Sequence, residues 1–465
     1  MFERLRRVPG LARATKGARE LEAHDEWDAE RLAAYQRQRL LAIVRHAAEN
    51  SSFYRERFAG IELSDDLDPS ELPTLDKATM LDHFDDLVTD SRLNLAGVES
   101  HLEEVERADP GGDPMLLGEY RAMASSGSSG QRGVFVYGRE DWREVLAGAF
   151  RVNNFYLGLA PRLPRRRIAT IWAESPLHIS GRVARSFDVG VHRFLRLDAR
   201  TSLDELVQTL NSYRPTAISA YASVAAQLAE CQLAGSLHIA PEVVSTTAEV
   251  RTPDMEERIV VAWELAPFNF YSTSETGVVA CECDRHAGMH MFGDLALIEV
   301  VGDDYRPVPA GKSGNRVLVT NLFNRTQPLI RYELTDLVTI SPDPCPCGRP
   351  FPLIASLDGR SDDVLEMPDL DGGTVEVHPL TIRSPLAGIG ALREYRVIHT
   401  RGDLRVEAVL AAPDGGGADA SAQIRDRLRA ALEERGAKPP PIRVEPVDRI
   451  PPDPRSGKRR LIESR

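Results

Sequence analysis

The sequence has no basic excess. Its 465 residues carry 57 Lys and Arg against 70 Asp and Glu, a formal net charge of −13. Binding nucleic acid needs a concentrated cationic surface to displace counterions from phosphates, so this balance argues against such a partner. A basic start, with Arg4, Arg6, Arg7, Arg13, Lys16 and Arg19, is the exception. Glu3 and Glu20 interrupt it and no long apolar stretch follows, so neither a signal peptide nor an anchor is expected there. Long uncharged apolar runs are missing from the rest of the chain as well, and no membrane span is expected. Cysteine is scarce. There are five, an odd number, and four of them fall in two close pairs, which suits a reducing compartment with a metal site better than a disulfide framework. The cytoplasm is the expected location. Internal repeats are absent, and the only low-complexity patches, Gly415-Gly416-Gly417 and Pro439-Pro440-Pro441, read as loops.

What is present is a globular composition. With 42% hydrophobic and 27% charged residues, a chain of this length can bury a large core, and two or three domains are expected. Leu32, Tyr35, Leu40, Ile43, Val44 and Ala47 fall at helical spacing, which makes the first hundred or so residues a helical scaffold. From Arg167 onward, short β-rich runs (Ile168–Trp172, Ala217–Tyr221, Val243–Thr247, Phe268–Tyr271) alternate with helical segments such as Ser223–Leu233 and Thr252–Trp263. That alternation predicts βαβ units and mainly parallel sheets, an α/β fold. Ligands in such sheets sit beyond the carboxyl ends of the strands, so Thr246, Thr247, Glu249, Ser272, Thr273 and Glu275 are expected to face one crevice. The runs 296–301, 316–321 and 337–341, broken by Gly/Pro/Asp turns, look like a small antiparallel β-barrel subdomain. Beyond 359 a hairpin around Arg401-Gly402-Asp403, an amphipathic helix from Ala418 to Arg435 and a strand at Ile442-Arg443-Val444 make a compact C-terminal α/β module. The expected divisions are 1–120, 121–358 and 359–465.

The stretch Ser125-Ser126-Gly127-Ser128-Ser129-Gly130-Gln131-Arg132-Gly133 carries the first chemical signal. Glycines let successive backbone N–H groups turn toward one point and the serine hydroxyls add donors, so the loop can wrap a chain of phosphates. It lacks Walker spacing, and a Ser/Gly run of this length is otherwise a flexible linker. Its place in a series of motifs decides between the two. S-S-G-S-S-G-Q-R-G is followed by Y-S-T-S-E-T-G, R-Y-E-L-T-D, G-R-S-D-D and a final S-G-K-R-R, and L-P-T-L-D-K lies upstream. In this order over about 330 residues they resemble the adenylate-forming (acyl-activating) superfamily, and within it the phenylacetate–CoA ligase branch.

The resemblance implies a large N-terminal domain and a small mobile C-terminal lid. It also implies an ATP-dependent enzyme that activates an aryl or other small carboxylic acid as acyl-AMP and then forms a thioester with CoA. Adenylation without CoA remains open, with AMP passed to a cofactor hydroxyl or the acyl group to an amine, as does a non-catalytic zinc-containing scaffold. A homodimer is left open too. By this resemblance the loop residues Ser125, Ser126, Gly127, Ser128, Ser129 and Gly130 hold the β- and γ-phosphates. Glu275 holds Mg²⁺, which shares the phosphates with few carboxylates. Tyr271 stacks near adenine beside Ser272, Thr273 and Ser274, Asp336 accepts from the ribose hydroxyls, and Arg360 assists it. Lys458 bridges the substrate carboxylate and the α-phosphate, and Asp362 is the hinge that withdraws it. Without the resemblance, Glu275 reads as a helix cap, Tyr271 as a core aromatic and Lys458 as a solvated tail lysine.

The acyl pocket is legible only as candidates, Trp172, His178, Tyr221 and Ala248, each of which can equally be packing. The cysteines give a separate expectation. Cys283-x-x-His286 with Cys345-Pro346-Cys347-Gly348 offers three thiolates and an imidazole for a structural Zn²⁺, with Cys281 and His290 as competitors. Because His290 sits in a G-M-H motif that the branch keeps for other reasons, His286 is the expected ligand. The chain departs from the branch at Gln131-Arg132-Gly133 and at Glu333-Leu334-Thr335-Asp336, which lacks the usual Gly before the Asp.

Overall fold

The computed structural model describes residues 2–107, 114–125, 132–156, 165–173, 175–187, 192–370, 372–387, 389–400, 402–411, 417–454 and 456–464, without the side chains of 2–12, 156, 187, 362, 380, 417 and 418. The loop residues Ser126, Gly127, Ser128, Ser129 and Gly130 and the side chain of Asp362 therefore lie outside the described residues.

A ten-stranded sheet is the spine of the large unit, in the order Ser313–Gly314, Asp336–Ile340, Leu353–Arg360, Met289–Met291, Gly277–Glu282, Phe268–Thr273, Val243–Thr247, Ala217–Tyr221, Arg167–Trp172, Arg193–Asp198. From Phe268–Thr273 to Arg193–Asp198 the pairing is parallel. On the other side it is antiparallel. The parallel half follows from sequence. Its strands are short runs such as Val243-Val244-Ser245-Thr246-Thr247, four of whose five residues are buried, as strands covered by helices must be. The helices between them start where their caps dictate. The Ser202 hydroxyl accepts from Glu205 N ahead of Leu203–Tyr213, and the Thr252 hydroxyl accepts from Met255 N ahead of Pro253–Trp263.

The strands expected to close a small barrel are divided. Ala296–Val301, Arg316–Asn321 and Tyr332–Leu334 form their own three-stranded antiparallel sheet, whereas Asp336–Ile340 and Leu353–Arg360 continue the large sheet. The N-terminal helices share one core with the sheet, in which Leu40, Val44, Tyr54 and Phe84 join Val279, Phe292 and Ile330. The C-terminal unit has a core of its own between Leu365 and Ile462. There Ile424, Leu428 and Leu432, spaced by four on the helix Gly417–Glu434, are fully buried against a four-stranded sheet. The expected hairpin strands Leu392–Thr400 and Asp403–Leu410 pair antiparallel, with Arg401 between them outside the described residues.

Candidate active site

Beyond the carboxyl ends of the parallel strands lies a cleft of about 390 Å³ that both units line. Ala248, Glu249, Tyr271, Ser272, Asp336 and Arg360 come from the sheet side, and Lys458 and Arg459 from the C-terminal tail. Asp336 and Arg360 face each other as register partners in adjacent antiparallel strands, with Arg360 Nε 3.6 Å from Asp336 Oδ1. Tyr271 donates its hydroxyl to the other oxygen, Oδ2, at 3.0 Å. Asp336 raises the Arg360 pKa, and burial raises that of Tyr271 well above its ordinary value. The carboxylate is thus held on its flanks by one hydrogen bond and one ion pair.

Glu275 sits in the turn between Phe268–Thr273 and Gly277–Glu282, where Gly277 adopts φ +79°. The turn is pinned: Asn321 Nδ2 donates to Glu275 O at 3.0 Å, and Tyr137 donates its hydroxyl to Ser274 O at 2.7 Å. Burial raises the Glu275 pKa, Arg360 and Lys77 oppose that rise, and Asp336 adds to it. A divalent cation beside this carboxylate would reverse the effect of burial, so the residue fits a Mg²⁺ ligand.

The hydroxyl-rich loop is carried by a hairpin. Strands Arg121–Ala124 and Val134–Tyr137 pair antiparallel, and its ends are closed by Ser125 N donating to Gly133 O and Gly133 N donating to Ser125 Oγ, at 2.9 and 2.8 Å. Ser125 is therefore the closing residue of the loop.

Lys458 is held by the tail segment that brings it in. Asp453 accepts from Ser456 N and Ser456 Oγ, and Gly457 N donates to Asp453 O. Gly457, at φ +67°, presses against Arg200 Cγ, Ala199 Cβ and Tyr221 Cε2, where a Cβ would stand 3.3, 3.5 and 3.7 Å from them. A side chain there would be strained by both the backbone and the approach. The Lys458 ammonium is 6.0 Å from the Tyr221 ring centroid. Burial and then Arg360 push its pKa down to about 8, against Glu249, Asp336 and Asp453.

The remaining candidates divide. His178 borders Lys458: burial and then Lys458 push its pKa down to about 4, so it is neutral at pH 7. Tyr221 accepts from Ala173 N and donates to Ser456 O at 3.2 Å, bridging the two units. Trp172 is occupied by packing, its indole N–H donating to Ser219 O at 2.7 Å. Ala248 lines the cleft in a left-handed backbone, φ +66°, a conformation that costs a non-glycine residue about 1 kcal/mol or more. Glu249, read as a nucleotide contact, lines the cleft with each oxygen already accepting one hydrogen bond. Oε2 accepts from Ser223 N and Oε1 from Arg459 N, at 2.9 and 2.7 Å.

The cysteine expectation needs one correction. Cys283, His290, Cys345 and Cys347 bring their ligand atoms within 4.8 Å of one another. His286 is elsewhere, with Nδ1 3.5 Å from Glu282 Oε2 and its ring against Phe268 at 4.8 Å. The reason is topological. Met289–Met291 pairs with both Gly277–Glu282 and Leu353–Arg360, so the strand carries His290 next to the Cys345-Pro346-Cys347 turn while His286 stays on the preceding loop. Burial pushes the His290 pKa down to about 4, leaving it neutral as a metal ligand requires. No sequence signal pointed to Ser223, Gln227 or Glu394, which join the two units beside Lys458. Arg459 joins them too, and its position after the lysine in the S-G-K-R-R motif was the one available hint.

Comparison with known proteins returns one curated relative and a set of solved structures, while no protein family model matches. The chain is 26% identical over 412 residues to a phenylacetate–coenzyme A ligase of Thermus thermophilus, covering 82% of this chain and 81% of that one. Among solved structures, a 2-hydroxyisobutyryl-CoA ligase in its postadenylation state matches with a TM-score of 0.71 at 20% identity, over 95% of this chain and 91% of that one. The same ligase with CoA in its thioesterification state matches with a TM-score of 0.56, at the same identity and coverage.

Proposed function

We propose that this chain, which has the adenylate-forming fold and is similar to the phenylacetate–CoA ligase branch of that superfamily, uses ATP to join a small carboxylic acid to AMP and then to CoA. The aryl acids are the first substrates to test. In the first half-reaction a carboxylate oxygen attacks the α-phosphorus and the bond to pyrophosphate breaks. In the second, the thiol sulfur attacks the acyl carbonyl carbon, AMP leaves and the thiol proton passes to solvent. The observation that carries the proposal is the convergence on one cleft of Lys458 from the tail with Asp336, Arg360 and Tyr271 from the sheet. Two anions must meet in the first step, and fixed cations at that point lower its barrier by preorganised electrostatics. Lys458 supplies the charge between acid and α-phosphate, Asp336 accepts from the ribose hydroxyls, and Arg360 holds Asp336 in place. Glu275 would hold a Mg²⁺ whose charge screens the phosphate oxygens. The better overlay on the postadenylation than on the thioesterification arrangement of the related ligase supports a lid that has not turned to the thioester-forming arrangement.

Pyrophosphate release with a panel of acids, measured with and without CoA, tests the reading. Acid-stimulated release with CoA consumption supports it. Release without a thioester moves the assignment to AMP or amide transfer, and no release together with no ATP binding moves it to a scaffold. Among the described residues no helix is long and apolar enough to cross a membrane. The cysteines are all free thiols, which favours the reducing cytoplasm as the place of work.

We further propose that Cys283, His290, Cys345 and Cys347 hold a structural Zn²⁺. Three thiolates and one imidazole fill a tetrahedral set and leave no open position. Elemental analysis of purified protein is expected to find about one zinc per chain. His290→Ala is expected to lose it and His286→Ala to keep it. Retention of zinc by His290→Ala would reject the ligand set.

A further inference from the structure

We infer that Glu394, Gln227 and Ser223 are positioning residues that clamp Arg459 across the two units, and that this clamp sets how the enzyme divides its time between adenylation and thioester formation. The chemistry of this inference rests on the adenylation reading, but its geometry does not. The tail places Arg459 next to Lys458, so whatever fixes Arg459 fixes the lysine. On its own unit Arg459 is held by Ile450 O, at 3.1 Å from Nε, and by Glu394 Oε2, at 3.8 Å. Across the interface its NH1 donates to Ser223 Oγ at 3.2 Å, and its backbone N–H donates to Glu249 Oε1 at 2.7 Å. Glu394 makes its own crossing, accepting from Gln227 Nε2 at 2.5 Å. Tyr221 adds a bond to Ser456 O.

These crossings converge on the amino-terminal half of one helix, Ala222–Leu233, whose first turn also binds Glu249 through Ser223 N. Glu249 therefore ties that turn to the tail backbone. The clamp is made of charge-assisted bonds in a part-buried interface, the kind strong enough to bias a two-state arrangement. Rotating the lid away from adenylation must break every crossing contact, while the bonds inside each unit survive. A contact that exists in one arrangement only is what shifts such an equilibrium.

Two variants test the inference, Glu394→Gln, which removes the charge facing Arg459, and Gln227→Ala, a milder change on the large unit. Each is read as acid-dependent ATP–pyrophosphate exchange, as thioester formation from a supplied acyl-adenylate, and as small-angle X-ray scattering of the free protein. Exchange is expected to fall about tenfold, thioester formation to hold or rise, and the scattering profile to move away from that of the wild type. Equal slowing of both half-reactions, or an unchanged ratio between them, would overturn the inference. If the wild type exchanges no pyrophosphate with any acid, the adenylation reading falls. Scattering then judges the clamp alone, a shift in both variants upholding it and superposable profiles rejecting it.

Discussion

Lys458→Ala is expected to lower acid-dependent pyrophosphate exchange by about 10²–10³-fold while sparing thioester formation from a supplied acyl-adenylate. The split follows from where the residue stands. Its ammonium faces Arg360 in a buried cleft, so the unliganded enzyme holds a cation whose charge is worth having only when phosphate and carboxylate arrive. An interaction made chiefly in the transition state is lost from kcat and from kcat/KM together. The same position fixes the pH dependence. Burial and Arg360 depress the lysine pKa to about 8, and the protonated form is the working one, so kcat/KM for adenylation falls as pH rises through about 8. Bound phosphates favour the ammonium, which moves the corresponding fall in kcat to higher pH. Lys458→Ala removes this alkaline limb. Exchange at the wild-type rate in the variant, or an alkaline limb that survives it, would remove Lys458 from the proposed chemistry.

How much of this was legible in the sequence depends on the range of the forces involved. The parallel strands were readable because apolar β-branched runs and helix caps are local, and Ala217–Tyr221 and Val243–Thr247 begin and end where the pattern places them. Tyr271, Asp336, Arg360 and Lys458 were found through ordered motifs, and the fold brings them to one cleft although they are spread over almost 190 residues of chain. Nothing local distinguished His286 from His290. Strand pairing decided between them, and the register that sets His290 opposite Leu353 is a long-range property. Glu249 lines the cleft, as its place just past a strand end suggests, but its partners were not legible: the tail, 210 residues away, supplies one and the preceding helix the other. How the barrel strands divide between two sheets was not legible, because short strands between turns look alike whether they close on themselves or extend a sheet that already exists.

Asp294→Ala is expected to be the most destabilising single change outside the cleft, costing about 3–5 kcal/mol, read as a fall in Tm of about 3–5 °C. Arg151 and Asp294 both have fully buried side chains, and Arg151 NH1 donates to Asp294 Oδ2 at 2.8 Å. The guanidinium packs against Phe292 and Phe351, with centroids 4.4 and 4.6 Å away, and its side chain is fully buried, so it cannot reach water when its partner is removed. Asp25 also pairs with Arg151, but it serves Arg349 at the same time, and His24 contacts Asp294 at 2.8 Å. A buried cation left with only a shared carboxylate is worse than no cation. Arg151→Met combined with Asp294→Leu should accordingly recover a large part of what the single change loses. The acid limb of stability carries the sign. Burial would raise the Asp294 pKa, but Arg151 and His24 overrule it and hold the group below 3.8. Its stabilisation is therefore present above that value and lost as pH falls from there through the lower folded value, and Asp294→Asn should flatten that limb. Both half-reactions of the folded variants should run at wild-type rates below the melt, since none of these groups lines the cleft. A Tm unmoved by Asp294→Ala would mean that Asp25 alone neutralises Arg151.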